Sequence, residues 1–210
     1  MGLLLAVFCV LAYQAYAVAN ARQVTVGVFE REIKKATIKI KFDDLSQQQI
    51  EQLIAVEDPN FYRHNGFDLS TPGAGLTTIT QAMVKYLYFN NFRPGFQKIE
   101  QTLIAWLVVD KMVNKNDQLV VFVNTAYFGE NGEEEIRGFS AAAEVYFKKE
   151  FKALSGDEYL SLVAMLIAPN DFSITKNPKK NRDRLERIKR LVAGNCKPKD
   201  NRDVYYEQCS

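Results

Sequence analysis

Val56-Glu57-Asp58-Pro59-Asn60-Phe61-Tyr62-Arg63-His64-Asn65-Gly66-Phe67-Asp68 is the stretch that decides how this chain is read, and it contains the only histidine of the 210 residues. Just upstream, Ser46 and Gln49 have capping-box spacing, and Ile50, Leu53 and Ile54 supply one buried face. The pattern predicts a helix ending near Val56. Glu57 is thereby delivered to a helix C-terminus, whose partial negative charge disfavours an ionised carboxylate. Aromatic neighbours and a glycine turn let a raised pKa coexist with substrate access, as a general base requires. Taken alone, the same residues fit a solvated helix end, with His64 ordering the loop through hydrogen bonds.

Working outward, Pro72-Gly73-Ala74-Gly75 reads as a flexible turn, and Thr77 or Thr78 caps a helix from about Ile79 to Phe89. Hydroxyls at a helix start suit an anion, and they equally suit an ordinary N-cap. Phe89, Phe92 and Phe96 lie in an aromatic segment broken by Pro94 and Gly95, which suits a membrane interface or the packed end of a helix. Gln97 to about Val113 reads as a central helix, with Ile99, Leu103, Trp106 and Leu107 on one side and Lys98 and Gln101 sharing another. Asn116 is placed to cap a helix through Leu119, Phe122 and Val123, ending in a Tyr127-Phe128-Gly129 turn. Phe139 to Phe147 is a small-residue helix, and Ser155 with Glu158 opens another that Pro169 stops. Asn177-Pro178 starts a last helix, which Gly194 closes.

Four ordered blocks carry a resemblance. Glu57 to Asp68 is similar to the E-D-x-x-F-x-x-H-x-G-x-D signature of the peptidoglycan glycosyltransferase family, the transglycosylase module of class A penicillin-binding proteins and of monofunctional transglycosylases. Gly75-Leu76-Thr77-Thr78-Ile79-Thr80-Gln81 resembles the family's G-x-S-T-I-T-Q-Q. Gln97-Lys98-Ile99-Glu100-Gln101 stands where R-K-x-x-E is expected, and Val123-Asn124-Thr125-Ala126-Tyr127-Phe128-Gly129 resembles L-N-x-x-Y-F-G. The likeness covers roughly residues 46 to 194. It implies a mainly α, lysozyme-like, two-lobed domain with a small membrane-side jaw. It also implies polymerisation of lipid II, with Glu57 as the base and Gln101 at the position of a second catalytic carboxylate. Substrate contacts carry over to Asp58, Phe61, His64, Gly66, Thr77, Thr78, Thr80, Gln81, Lys85, Lys98 and Asn124, and membrane contacts to Phe89, Phe92 and Phe96. A divalent cation, Mg or Mn, assists some relatives, but no protein-built metal cage is visible here. The family's Arg and second carboxylate read as Gln97 and Gln101, and Glu130 to Gly138 is longer and more acidic than the family pattern.

Composition sets the outer bounds. Charged residues make up 25% and hydrophobic ones 47%, and a net charge of +2 from 27 basic and 25 acidic residues argues against a nucleic-acid binder. Eight basic and two acidic residues fall between Lys176 and Arg190, whereas Glu133-Glu134-Glu135 forms an acidic run. Residues 1–21 carry no charged side chain and are read as a membrane anchor. A signal peptide cleaved near Ala15-Tyr16-Ala17 is the competing reading, and a buried core helix the third. Both of the first two export the domain, to the extracytoplasmic side of the bacterial inner membrane. The basic residues follow the apolar run rather than precede it, so a cytoplasmic start upstream is expected. Residues 22–45 read as linker with one or two short strands, Val24 to Phe29 and Thr37 to Phe42. Residues 46–195 read as the transglycosylase-like domain and 196–210 as a polar tail, in which Cys196 and Cys209 either close a loop, in an oxidising compartment, or stay free thiols. Within these 210 residues no transpeptidase module is expected. Expected partners are lipid II, the growing glycan strand, the membrane and cell-wall synthesis proteins. Two rivals remain, a lipid II or peptidoglycan-binding scaffold with a degenerate site and a lysozyme-type glycan hydrolase.

Overall fold

A computed structural model describes residues 2–35 and 37–210. Met1, at the head of the expected leader, and Ala36 lie outside the described residues. Helix α1 runs unbroken over Gly2–Ile33. Its residues Leu4, Leu5, Val7, Phe8 and Leu11 are exposed, and it is long and apolar enough to cross a membrane. Gln14, Ala17, Ala21, Thr25, Phe29 and Glu32 form a buried stripe at steps of three and four residues, against helices described below.

The expected strand at Val24 to Phe29 is therefore helix. β-branching is a weak preference, overridden here by continuity with the apolar helix and by burial of Thr25 and Phe29. Thr25 Oγ1 bonds back to the Ala21 carbonyl at 2.6 Å and meets the Tyr88 hydroxyl at 2.6 Å. The second expected strand is also absent among the described residues of Thr37 to Phe42, for want of a neighbouring strand to pair with. The side chain of Asn124 takes a strand's place, its Oδ1 accepting from Lys39 and Ile40 amides and its Nδ2 donating to the Ile40 carbonyl.

Helix α2 (Gln47–Glu57) starts with the Ser46/Gln49 capping box and buries Ile50, Leu53 and Val56. Helix α3 (Ile79–Tyr88) starts with a capping box between Thr78 and Gln81. The segment expected as one central helix is α4 (Phe96–Ile104), a π-helical turn (Ala105–Val109) and α5 (Asp110–Met112). The turn has a packing consequence: a Cβ on Gly66, at φ +85, would lie 2.4 Å from the Ala105 carbonyl oxygen.

The most enclosed helix is instead α6 (Lys115–Thr125), in which every residue from Gln118 to Thr125 is buried. Its cap is Asn114, which accepts from the Asp117 amide at 2.8 Å, rather than the expected Asn116. Strands β1 (Tyr127–Asn131) and β2 (Glu134–Arg137) follow as an antiparallel hairpin pairing Asn131 with Glu134. Gly132, at φ 70, makes its tight turn. The acidic run is thus the hairpin's outer edge, and Phe128 and Ile136 are its buried side.

Helix α7 (Phe139–Phe147) packs beside α6 and α8 (Gly156–Met165), and α9 (Pro178–Val192) lies against α8 and α2. The Ser155/Glu158 capping box and the proline start of α9 stand as expected. Helix α1 packs on α4, the π-helical turn and α6. The outcome is the mostly helical, lysozyme-like domain expected, with its short strands in a hairpin after α6 rather than near the N-terminus.

Candidate active site

Glu57 is the last residue of α2 and keeps partial exposure, whereas Asp58 beside it is fully buried. Desolvation pushes the Glu57 carboxyl up to about 7. The Arg184 guanidinium opposes that rise, and the Asp58 carboxylate adds to it. A carboxyl half in its basic form near neutral pH is matched to accepting a proton from a sugar hydroxyl.

Asp58 has a different task. His64 Nε2 stands 2.9 Å from each of its carboxylate oxygens, and Oδ2 also accepts the Ile79 amide at 3.0 Å. Because the Gly66 amide donates to His64 Nδ1 at 2.9 Å, the network assigns the imidazole proton to Nε2, pointing at Asp58. His64 is thus the loop-ordering residue that the sequence allowed. Lys115 clamps the same loop, with its Nζ 4.7 Å from the centre of the buried Phe61 ring and 3.2 Å from the His64 carbonyl oxygen.

These contacts change the expected reading of the α3 start. Its first amide, on Ile79, is taken by Asp58, and the Gln81 amide is taken by Thr78 Oγ1 at 3.2 Å. Those two donors serve the protein's own oxygens rather than a phosphate. Thr78 Oγ1 further donates to the Gly66 carbonyl at 2.7 Å, tying the first motif to the second. Thr80 is buried against Gln118 at 2.8 Å, and Gln81 donates to Thr102 at 2.8 Å.

The anion-seeking groups are side chains. Lys98 Nζ donates to Thr77 Oγ1 at 3.0 Å, and burial together with the nearby Lys85 charge lowers the Lys98 pKa. Two cations that repel each other beside a hydroxyl make a place where a negative ligand is favoured. Among the described residues neither lysine is in an ion pair. Lys85 lies 5.4 Å over the Phe92 ring, which packs edge-on against Phe89 at 5.3 Å, and Phe96 beyond them is 61% exposed.

Gln101 is only 1% exposed; its Nε2 donates to the Gln81 carbonyl at 2.6 Å, and its Oε1 is buried with no partner. This amide faces α3 from the same side of α4 as Lys98. Asn124, expected to touch substrate, has all four of its bonds inside the fold: Lys39, Ile40 twice, and the Val120 carbonyl. It is a framework residue. The donor set does not fit a divalent cation. The position of the second carboxylate is a neutral amide, its neighbours are lysines, and among the described residues no three His, Cys, Asp or Glu side chains cluster.

The sequence reading missed Arg184 and Tyr206. Arg184 is 1% exposed, bonded to the Ala164 and Val204 carbonyls at 3.1 and 2.8 Å, and it bears on Glu57 from α9. It was hidden in a basic run that reads as solvated surface. A cavity of about 560 Å³ lies elsewhere, lined by Lys39, Asn124, Arg137, Glu144 and Lys152 among others and by no residue of the first three motifs.

Comparison with known proteins adds an independent line. A family model described as Transglycosylase matches residues 23–193. Penicillin-binding protein 1B of Buchnera aphidicola subsp. Acyrthosiphon pisum is 34% identical over 142 residues, 61% of this chain and 19% of that protein. Penicillin-binding protein 1B of Escherichia coli is 31% identical over 156 residues, 68% of this chain and 18% of that protein. The biosynthetic peptidoglycan transglycosylase of Acinetobacter baumannii is 29% identical over 154 residues, 67% of this chain and 66% of that protein. The chain spans about a fifth of the length of the penicillin-binding proteins it matches.

Proposed function

Given that the chain belongs to the transglycosylase family, we propose that it is a peptidoglycan glycosyltransferase that joins lipid II units into glycan strands and releases the lipid pyrophosphate. The observation that carries this reading is the pairing of a half-buried Glu57, with its pKa near 7, and a cationic cluster in which Lys98 of α4 reaches Thr77 before α3 and lies near Lys85 in the last turn of α3. In the proposed step the 4-hydroxyl of one lipid II gives its proton to Glu57. The hydroxyl oxygen attacks the anomeric carbon of the growing strand, whose bond to the lipid pyrophosphate breaks with inversion. Lys98 and Lys85 balance the charge that gathers on the leaving phosphate oxygens. The apolar α1 and the aromatics Phe89, Phe92 and Phe96 keep the site at the bilayer holding the lipid tails, on its extracytoplasmic side.

Gln101 makes the enzyme slow or dependent on a cell-wall synthesis partner. An amide bound to the Gln81 carbonyl accepts no proton, and Gln97 removes a neighbouring positive charge. This same observation favours the second reading, a scaffold that binds lipid II without turning it over. Incubation with lipid II separates the readings: glycan polymer supports the transferase, binding without polymer the scaffold, and shortened glycan strands a hydrolase.

A further inference from the structure

Residues beyond Val192 lie almost wholly outside the family match, yet they are built into the site. Cys196 and Cys209 are joined by a disulfide, closing a loop across 13 positions. From within that loop, the Asp200 and Asn201 carbonyls accept the Gly73 and Gly75 amides at 2.9 and 2.7 Å, and Asn201 Nδ2 donates to the Leu69 carbonyl at 2.8 Å. The loop therefore grips the segment that joins the first motif to the second. The fit is close on both sides. A Cβ on Gly73 would lie 2.7 Å from Pro198 and 2.9 Å from Tyr206, and one on Gly75 would lie 2.9 Å from Val204.

Tyr206 is the point of this grip. It is 1% exposed, held at a left-handed φ of 55, and its hydroxyl donates to the carbonyl of Val56, the residue before Glu57. A second, longer contact of 3.4 Å reaches the Gly73 carbonyl. Arg184 lies 5.2 Å from the Tyr206 ring, and Arg190 anchors the loop's end through the Cys209 carbonyl at 2.7 Å. A buried side chain in a strained backbone conformation persists only where its surroundings over-determine it. Here the cross-link supplies part of that constraint.

On the reading of Glu57 as the base, we propose that Tyr206 is a positioning residue for Glu57 and that the Cys196–Cys209 disulfide holds it in place. Burial and the neighbouring Glu57 push the Tyr206 hydroxyl up, so it remains a donor across the working pH range. It fixes the last turn of α2 and covers one side of the base. Opening the disulfide releases the cover and lets more water reach the partly exposed Glu57. A dithiol reductant does this in balance: each sulfur of the pair takes up one electron and one proton, and the dithiol closes to its own disulfide.

The charged and titratable groups around the base are few. Asp58 adjoins it on the chain, Arg184 faces it from α9, and Tyr206 faces it from the tail. Behind these, Arg187 and Tyr205 face Arg184, Asp203 faces Tyr206, and His64 faces Asp58. Helix α8, also packed on α2, brings Tyr159, whose hydroxyl donates to the Gln49 carbonyl at 2.8 Å.

The test compares the full chain oxidised, the same protein after dithiothreitol, and oxidised Tyr206→Phe and Tyr206→Ala. Two readouts are followed: the pH profile of lipid II polymerisation, and the titration of the Glu57 carboxyl by carbon NMR, which needs no turnover. Reduction and Tyr206→Ala are each expected to move the Glu57 midpoint down from about 7 by about one pH unit or more, toward an ordinary glutamate. The plateau kcat falls about tenfold with KM held within about twofold, because a weaker and less fixed base slows the chemical step. Tyr206→Phe keeps the ring and falls between. Thiol counting establishes that the pair has opened. If the pair opens and both the midpoint and the profile stay where they were, with or without a drop in Tm, the tail is only a structural clip and the proposal is overturned. If the midpoint moves but no state makes polymer, Tyr206 keeps its positioning role and the glycosyltransferase reading fails.

Discussion

His64 Nε2 stands 2.9 Å from both oxygens of Asp58, and Asp58 Oδ2 in turn holds the first amide of α3. One buried carboxylate thereby joins the first motif to the second and leaves its neighbour Glu57 free for chemistry. Removing it strands a histidine N–H and a helix amide inside the protein. Asp58→Ala is expected to lower stability by about 3 kcal/mol in denaturant unfolding and to abolish activity through loss of the loop. A change below about 0.5 kcal/mol contradicts this role.

Glu57→Gln keeps the size of the side chain and removes the base, so polymerisation should fall roughly 10²- to 10⁴-fold. Stability should move the other way. A carboxyl raised from 4.5 to about 7 favours the folded state below pH 4.5, and that contribution is lost as pH rises through 7, because the folded protein must then ionise a desolvated group. The glutamine variant escapes this loss. It should be about 1–3 kcal/mol more stable than the parent at pH 8 and no more stable at pH 4. Equal unfolding curves at pH 8 argue against a desolvated Glu57.

Lys98→Met retains the apolar stem and removes the charge beside Thr77. With the cation opposing the leaving phosphate gone, kcat should fall about 10²-fold, with a smaller rise in KM. Binding of a non-hydrolysable lipid pyrophosphate analogue should weaken in parallel. Unaltered kinetics assign the phosphate to other residues.

Gln97→Arg with Gln101→Glu restores the family pattern of the third motif. The new carboxyl meets the Gln81 carbonyl, to which Gln101 now donates at 2.6 Å, so below its pKa it takes over that bond and above it serves as a second anion in the site. Polymerisation should rise several-fold over the parent. A flat or lower rate in a folded double variant means that the amide is not limiting.

Membrane attachment has two components to separate. Deleting residues 1–21 removes the exposed apolar stretch of α1 and should leave weak liposome binding, carried by Phe96, its aromatic neighbours and basic residues worth about 1 kcal/mol each near an anionic leaflet. Adding Phe92→Ser and Phe96→Ser should abolish the remainder in a flotation assay. Undiminished binding after all three changes excludes the aromatic segment as a membrane contact.

Most local signals were legible in the amino-acid order, although the cap of α6 fell at Asn114 rather than Asn116. The capping residues of α2, α3 and α8, the proline start of α9 and the pairing of Cys196 with Cys209 all depend on residues within about a dozen positions of one another, where spacing is nearly geometry. Glu57 was legible for the same reason, as the end of a short helix at the head of a motif. Contacts between distant segments decided the rest. Val24 to Phe29 is helical because it continues the apolar helix α1 with Thr25 and Phe29 buried, and Thr37 to Phe42 is unpaired because Asn124, more than 80 positions away, satisfies two of its amides. That same contact commits the Asn124 side chain to bonds within the fold. The Asp58 to Ile79 bond likewise occupies the first amide of α3, while Lys98, with Lys85 nearby, is the cation that reaches Thr77. Arg184 and Tyr206 gave no local sign, since desolvation of Glu57 depends on what folds over it, and chain order records neighbours along the backbone rather than across a buried surface.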